Sequence, residues 1–581
     1  MRYFAIALLL ALLAPAGADT VLSRVNEALE AGEITVDQAV EYLVSSMNVE
    51  RELPVWLTQD TSPDPCGTAT MDRIAELYSS CSAPVKGELQ DLVLARPPLS
   101  GPEYTYDSPG GNFKMHWTDQ GVDATNESYV QELALAFDWS WEHQCDDMGY
   151  EEPPSDLGLG GDERYDVYMI SLGGGTIGYC AHAGEPTTGN YVNSSASHIA
   201  MESDSSNFGM EQMRETASHE FQHAVQNAYA ACEPSWFKEN CAVWIQNECW
   251  DTNHYADYLH TGDDNCLQDP WKAMDSGPMY HYGASPWPMY MEVRCGTYDV
   301  VKQVWYNAAI VEGMNTWDAI ETTAGEYGMT MNQWFADYAA WRWFTGDYAV
   351  PEGFYEYCES ALWTPGPKIL PWHNVSSLPA SGDQGDYSDY YPEYTGMHWI
   401  NVDVADYQDG WIDFSFDGRD NFTWIVGYIQ YTDGEGAYGW SYIDNQQATW
   451  DVSVSPLGWD EVIFFVFASN SGTMDHLYEY EIDFQTGVEQ GETSGSGLSV
   501  VPSANPMSPG AAITVTTPEA GFTTLNVYDL SGRMVEGITA SQLPAGSHTF
   551  QWNAADLQPG TYFLRLTGPS GGVSTKVSLQ R

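Results

Sequence analysis

The 581-residue chain is predicted to fold as an α+β region, a twisted sheet with helices, followed by two all-β sandwich domains. Three observations predict it. From Tyr104 onward, strand-like runs such as FKMHW and YDVYMISL are interleaved with stretches of helical apolar spacing. From about residue 366 the text changes to short alternating runs, among them HWINVDV, WIDFSFDG, FTWIVGYIQY and VIFFVFAS, separated by Gly, Asp and Asn. After a polar stretch, TGVEQGETSGSGLS, a cysteine-free block with the same alternation closes the chain.

In order, residues 1–18 read as a secretory signal: Arg2, then the apolar FAIALLLALLAPA, then Ala16-Gly17-Ala18 before Asp19. That apolar run is too short to span a bilayer stably, and no later window is long enough, so no membrane span is expected. Residues 19–58 predict two amphipathic helices about an Ala31-Gly32 turn, acting as a cap or a propeptide. Residues 59–365 form the α+β domain. SASHIAMES, residues 195–203, is its expected edge strand, able to bind an extended peptide by strand addition; His198 within it reads as structural. The Gly-rich GGGTIGY lacks the Lys-Ser of a phosphate loop and reads as a turn. Residues 366–485 form the first sandwich, 486–498 a linker and 499–581 the second sandwich. The first sandwich is rich in Trp and Tyr, which raises a glycan contact through stacked rings beside the plainer reading of an aromatic core.

Charge excludes whole classes of partner. With 82 acidic against 20 basic residues, the formal charge is −62, which repels nucleic acid and anionic membranes. Calcium sites are a secondary expectation of such acidity, although neither an EF-hand loop nor a nonapeptide repeat occurs. All ten cysteines lie between Cys66 and Cys358, an even number that predicts up to five disulfides in an exported protein. Cys66 and Cys81 are one candidate pair. Cysteine as a metal ligand is the poorer alternative, because no C-x-x-C pair exists.

The chemistry centres on HEFQH, His219 to His223. Histidines four apart on a helix differ by only about 40° around its axis, so both can reach one ion, with Glu220 beside it as general base. Sixteen residues on, Glu239 lies on a second helix among Trp236, Ala242, Val243 and Ile245. An acid in that setting needs a partner. Three protein ligands leave one tetrahedral position for water, the layout of a catalytic zinc site.

HEFQH followed by WFKENCA resembles the gluzincin clan of zinc peptidases. The text from GGNFKMHWT through ERYDVYMISLGGGTIGYCAH to YHYGASPWPMYMEVRCG is similar to a family of secreted bacterial metalloproteases. The resemblance covers most of residues 20–360. It implies a zincin-like catalytic domain, His219, His223 and Glu239 as zinc ligands, Glu220 as base, and a peptide or protein substrate. An oxyanion donor is also needed, and a Tyr hydroxyl or an imidazolium can serve; Tyr282 and His281 are the candidates, with Tyr280 a third. Residues 499–581 resemble a type IX secretion sorting domain in VYDLSGR, PGTYFLRL and the terminal KVSLQR, with SANP where YPNP is expected. That implies the type IX secretion machinery as a partner and a secreted or cell-surface location. The alternative from another class is a non-catalytic surface adhesin or glycan-binding protein carrying a zincin-like domain.

Overall fold

The computed structural model describes residues 19–48, 51–93, 96–182, 189–250, 258–259, 264–345, 348, 369–383, 392–468, 477–486 and 498–580, with short breaks at 192, 312, 409, 421, 433–434, 444–448, 530–533, 555–556 and 569–570. The signal at 1–18, Cys358 and most of the linker 486–498 lie outside the described residues. The chain divides into two compact units, 1–265 with 275–327 and 266–274 with 328–581. The architecture is α+β with a β-rich C-terminal region.

In the first unit, helices α1 (Val21–Glu30) and α2 (Val36–Ser46) each begin in a capping box, Thr20 with Ser23 and Thr35 with Gln38. Gly32, at φ +70°, makes the turn between them, a conformation that costs a glycine little. Helices α3 (Val55–Thr58), α4 (Thr68–Tyr78) and α5 (Ala83–Val93) complete an N-terminal layer. Then follow β1 (Tyr104–Asp107), β2 (Phe113–Trp117), α6 (Glu127–Trp141), β3 (Tyr165–Ile170), β4 (Gly178–His182) and β5 (Ser197–Glu202). The sheet order is β1-β2-β3-β5-β4. One face carries Tyr168, Leu172, Tyr179, Ala181 and Ala200 into a core shared with the N-terminal layer. On the other, the Phe113 ring meets Phe137 of α6 at 5.2 Å and Phe221 at 5.3 Å. Phe221 belongs to α7 (Gly209–Tyr229), which is buried from Glu215 to Tyr229 and is followed by α8 (Ser235–Cys249), α9 (Pro278–Gly283), α10 (Pro286–Cys295), α11 (Asp299–Ile310) and α12 (Thr316–Glu326).

The structure corrects the expected edge strand. β5, within SASHIAMES, pairs with β3 on one side and β4 on the other, so β4 is the edge. Burial of all six β5 residues follows from that central place. Its His198 is packed against Tyr168 and Tyr179 at 5.8 and 6.3 Å. The expected disulfides are also corrected: the nine described cysteines are free thiols, seven of them set in buried positions. The Cys81 thiol, for example, donates to Leu77 O at 3.4 Å.

In the second unit, α13 (Met331–Trp343) packs on the sandwich that follows, although it lies within residues 59–365, the stretch expected to form the α+β domain. The strands β6 (His373–Val375), β7 (Ala380–Asp383), β8 (His398–Asp403), β9 (Gly410–Gly418), β10 (Trp424–Thr432), β11 (Glu435–Ile443), β12 (Thr449–Val454), β13 (Glu461–Ala468) and β14 (Tyr478–Thr486) form this sandwich. Sheet β12-β9-β14-β7 faces the run β11-β10-β13-β8-β6 across one core. Phe414, Trp424, Trp450, Phe464 and Tyr480 fill that core. These core aromatics point inward, and the large hydrophobic residues exposed among the described part of 366–485 are Leu370 and Leu457. A second sandwich, β15 (Ser499–Pro502) to β21 (Gly571–Leu579), closes on Trp552 and joins the first where β21 pairs with β11 at Trp440 and Ser441.

Candidate metal centre

Helices α7 and α8 bring the expected metal ligands to one buried point. His219 Nε2 lies 3.0 Å from Glu239 Oε2, and His223 Nε2 lies 3.5 Å from Glu239 Oε1. Ligating atoms of His219, His223, Glu239 and Cys66 all fall within 4.8 Å of one another. Cysteine at this point was not expected. It arrives from the segment between α3 and α4, with Sγ 3.4 Å from His223 Nε2 and 3.5 Å from Glu220 Oε2.

The surroundings fit a cation. Each histidine turns its other ring nitrogen to a glutamine carbonyl, His219 Nδ1 to Gln246 Oε1 at 3.0 Å and His223 Nδ1 to Gln226 Oε1 at 2.9 Å. Gln226 Nε2 in turn donates to Lys238 O at 3.0 Å, which fixes the direction of its amide. His223 Nδ1 is thus a donor, and in both rings Nε2 is the nitrogen that faces the cluster. Buried oxygens Glu220 Oε1 and Glu239 Oε1 form no hydrogen bond, an arrangement costly without a positive partner. The two glutamines escaped the sequence reading. Gln226 stands at i+3 from His223 and Gln246 at i+7 from Glu239, spacings that place each on the face of its ligand-bearing helix.

Electrostatics separate the two acids. Burial would raise the Glu239 carboxyl, but the neighbouring imidazoles, His223 foremost, outweigh it and hold Glu239 well below the ordinary range. Glu220 is shifted the other way, because burial dominates there. Its side chain lies against the edge strand: a methyl group at Gly178 would stand 2.8 Å from Glu220 Cγ. Oε2 of Glu220 accepts from the Thr68 hydroxyl at 3.2 Å.

Of the oxyanion candidates, Tyr282 sits at the centre, its ring 6.2 Å from that of His219. Its hydroxyl donates to Asp64 Oδ1 at 2.9 Å, and burial keeps it protonated. His281, on α9, is turned toward Ser235, with Nδ1 3.4 Å from that hydroxyl. Burial pushes its pKa down to about 4, so it is a neutral imidazole rather than the imidazolium expected. Tyr280 is buried on the same helix. The acidic segment DTNHYADYLHTGDDNCLQDPW, expected to line a cleft, lies largely outside the described residues.

Three comparisons bear on the whole chain. Residues 504–572 match the FlgD Ig-like domain, which agrees with an immunoglobulin-like second sandwich. No curated protein matches the chain. Among solved structures, a β-D-mannosidase from Dictyoglomus thermophilum matches with 11% identity over 32% of this chain and 29% of that one, so less than a third of its length is spanned. Its TM-score of 0.11 carries no argument about fold or activity. Among the described residues, no helix is long and apolar enough to cross a membrane.

Proposed function

We propose that the chain is an exported zinc-dependent endopeptidase with a zincin-like catalytic domain. One observation supports this above the others: two helices carry His219, His223 and Glu239 to one buried point, with Glu220 held beside them against an edge strand. Zinc, when bound, supplies a water of lowered pKa and a Lewis acid for the scissile carbonyl. Glu220 takes the proton from the attacking water and returns it to the leaving amine, a role helped by a carboxyl whose pKa burial has raised. Tyr282, a protonated donor beside the ligands, steadies the developing oxyanion. Its hydroxyl must first leave Asp64. β4 is the edge at which an extended peptide would pair once the segment that now covers it gives way, which suits hydrolysis with little regard to side-chain identity. The signal-like N-terminus and the sorting-like C-terminal sandwich support passage through a type IX pathway to the cell surface or medium. Zinc is preferred to calcium because the donor set is imidazole, carboxylate and sulfur.

Metal analysis by mass spectrometry, paired with casein hydrolysis, tests this reading. One zinc per chain is expected, with hydrolysis lost to a chelator, restored by zinc and abolished by Glu220→Gln while zinc is retained. A folded chain that takes up no metal overturns it.

A further inference from the structure

Residues 64–68 run beside β4, the edge of the first sheet. Gly67 N donates to Gly178 O and Ile177 N donates to Pro65 O, each at 2.8 Å, and Cys66 pairs with Gly178 in parallel. Cys180 N donates to the Thr68 hydroxyl at 2.9 Å. This extended segment, which ends where α4 begins at Thr68, therefore covers the edge of β4, using the groups that strand addition of a substrate would use.

Its side chains engage the site one by one. Asp64 accepts the Tyr282 hydroxyl, Thr68 donates to Glu220, and Cys66 Sγ stands between Glu220 and His223. A second, independent observation points to a cation among these groups: Glu220 Oε1 and Glu239 Oε1 are buried without a hydrogen bond. A thiol completes a tetrahedral set that two imidazoles and a carboxylate leave one short.

We propose that Cys66 is the fourth protein ligand of the metal centre, and that Asp64–Thr68 is a built-in inhibitory strand occupying the coordination position and the edge that a peptide substrate needs. The proposal rests on the metallopeptidase reading. Ligation forms a sulfur–metal bond and releases the thiol proton to solvent. When the strand leaves, that bond breaks, a water oxygen takes the position, and the thiolate recovers a proton; no electrons are transferred. Four protein ligands describe a closed site, three an open one, so the position of one residue separates the two states.

X-ray absorption on the zinc-loaded full chain is the test, with casein hydrolysis as a second readout. Expected are one sulfur neighbour at about 2.3 Å, its loss in Cys66→Ser with one zinc retained, and hydrolysis at least tenfold faster in that variant. The double variant Asp64→Ala, Thr68→Val keeps the thiol but removes the acceptor of the Tyr282 hydroxyl and the donor to Glu220, and it should also hydrolyse faster. Bound zinc with only nitrogen and oxygen neighbours overturns the ligand assignment while leaving the peptidase reading in place. A sulfur neighbour with no gain of hydrolysis in either variant overturns the inhibitory role and makes the centre a closed structural one. Absence of bound metal removes both readings together.

Discussion

Gly178→Ala tests whether the edge strand positions Glu220. The added methyl would stand 2.8 Å from Glu220 Cγ and 3.0 Å from Oε1, with Met201 Sδ at 3.1 Å. Carbon atoms in contact prefer about 3.5 Å or more, so the Glu220 side chain must retreat by about 0.7 Å. Both are buried, and overpacking of this kind costs about 1–3 kcal/mol of stability. The effect on turnover should be larger. A displacement of about 1 Å can cost about 100-fold in rate, so a loss of about 10- to 100-fold is expected. His219, His223 and Glu239 are not in the path of the methyl, so the variant should hold one zinc. The assay is casein hydrolysis with metal content measured on the same sample, made in the Cys66→Ser background so that residue 66 does not mask the change. Full turnover with zinc bound would refute the reasoning, since the base would then not need its place against β4.

Three further outcomes are expected. Gln226→Leu and Gln246→Leu, which remove the carbonyls that orient the histidines, should each weaken metal affinity by about 10- to 100-fold in a chelator competition. Asp72→Ala strands the buried Lys238 ammonium, which pairs with Asp72 at 2.8 Å, and should lower stability in urea titration by about 3–5 kcal/mol. His198 is held neutral by burial, its pKa well below the usual 6.5, so the unfolded chain takes up a proton there that the folded chain refuses. Stability is therefore full above about pH 6.5 and falls as pH drops below it, by up to about 1.4 kcal/mol per unit; His198→Gln should flatten that slope in melts across pH 5 to 7.

Legibility followed sequence distance. His219, His223 and Glu220 could be read because helix geometry alone relates them, and Glu239 because an acid among Trp and Ala on a nearby helix lacked a reason to be there. Cys66 meets His223 across 157 positions, and no local pattern encodes such a meeting. An even count of cysteines in an export-like chain pointed instead to disulfides, a rule about compartments rather than about where any thiol lies. The edge strand was misplaced because SASHIAMES has the longer strand-like run, whereas β4 is five residues of GYCAH after a Gly-rich turn. Strand β11, EGAYGWSYI, was also missed, as its glycines read as turn while two neighbouring strands hold it in place. Aromatic content of the first sandwich left core and surface undecided until the pairing showed Phe414, Trp424 and Phe464 facing one interior.

The N-terminal layer gives the inhibitory strand a particular kind of strength. Helices α1 to α5 share a core with one face of the sheet, and Lys238 binds Asp72 of α4, so excising the layer would strip that face bare. Residues 64–68 are thereby tethered at both ends, and they compete with peptides at an effective concentration that for short tethers is roughly millimolar. Competition at that level sets an affinity threshold. A peptide enters only if its own binding, multiplied by its abundance, exceeds that of a competitor tethered at both ends, so weakly held sequences are refused however well their bonds suit the chemistry.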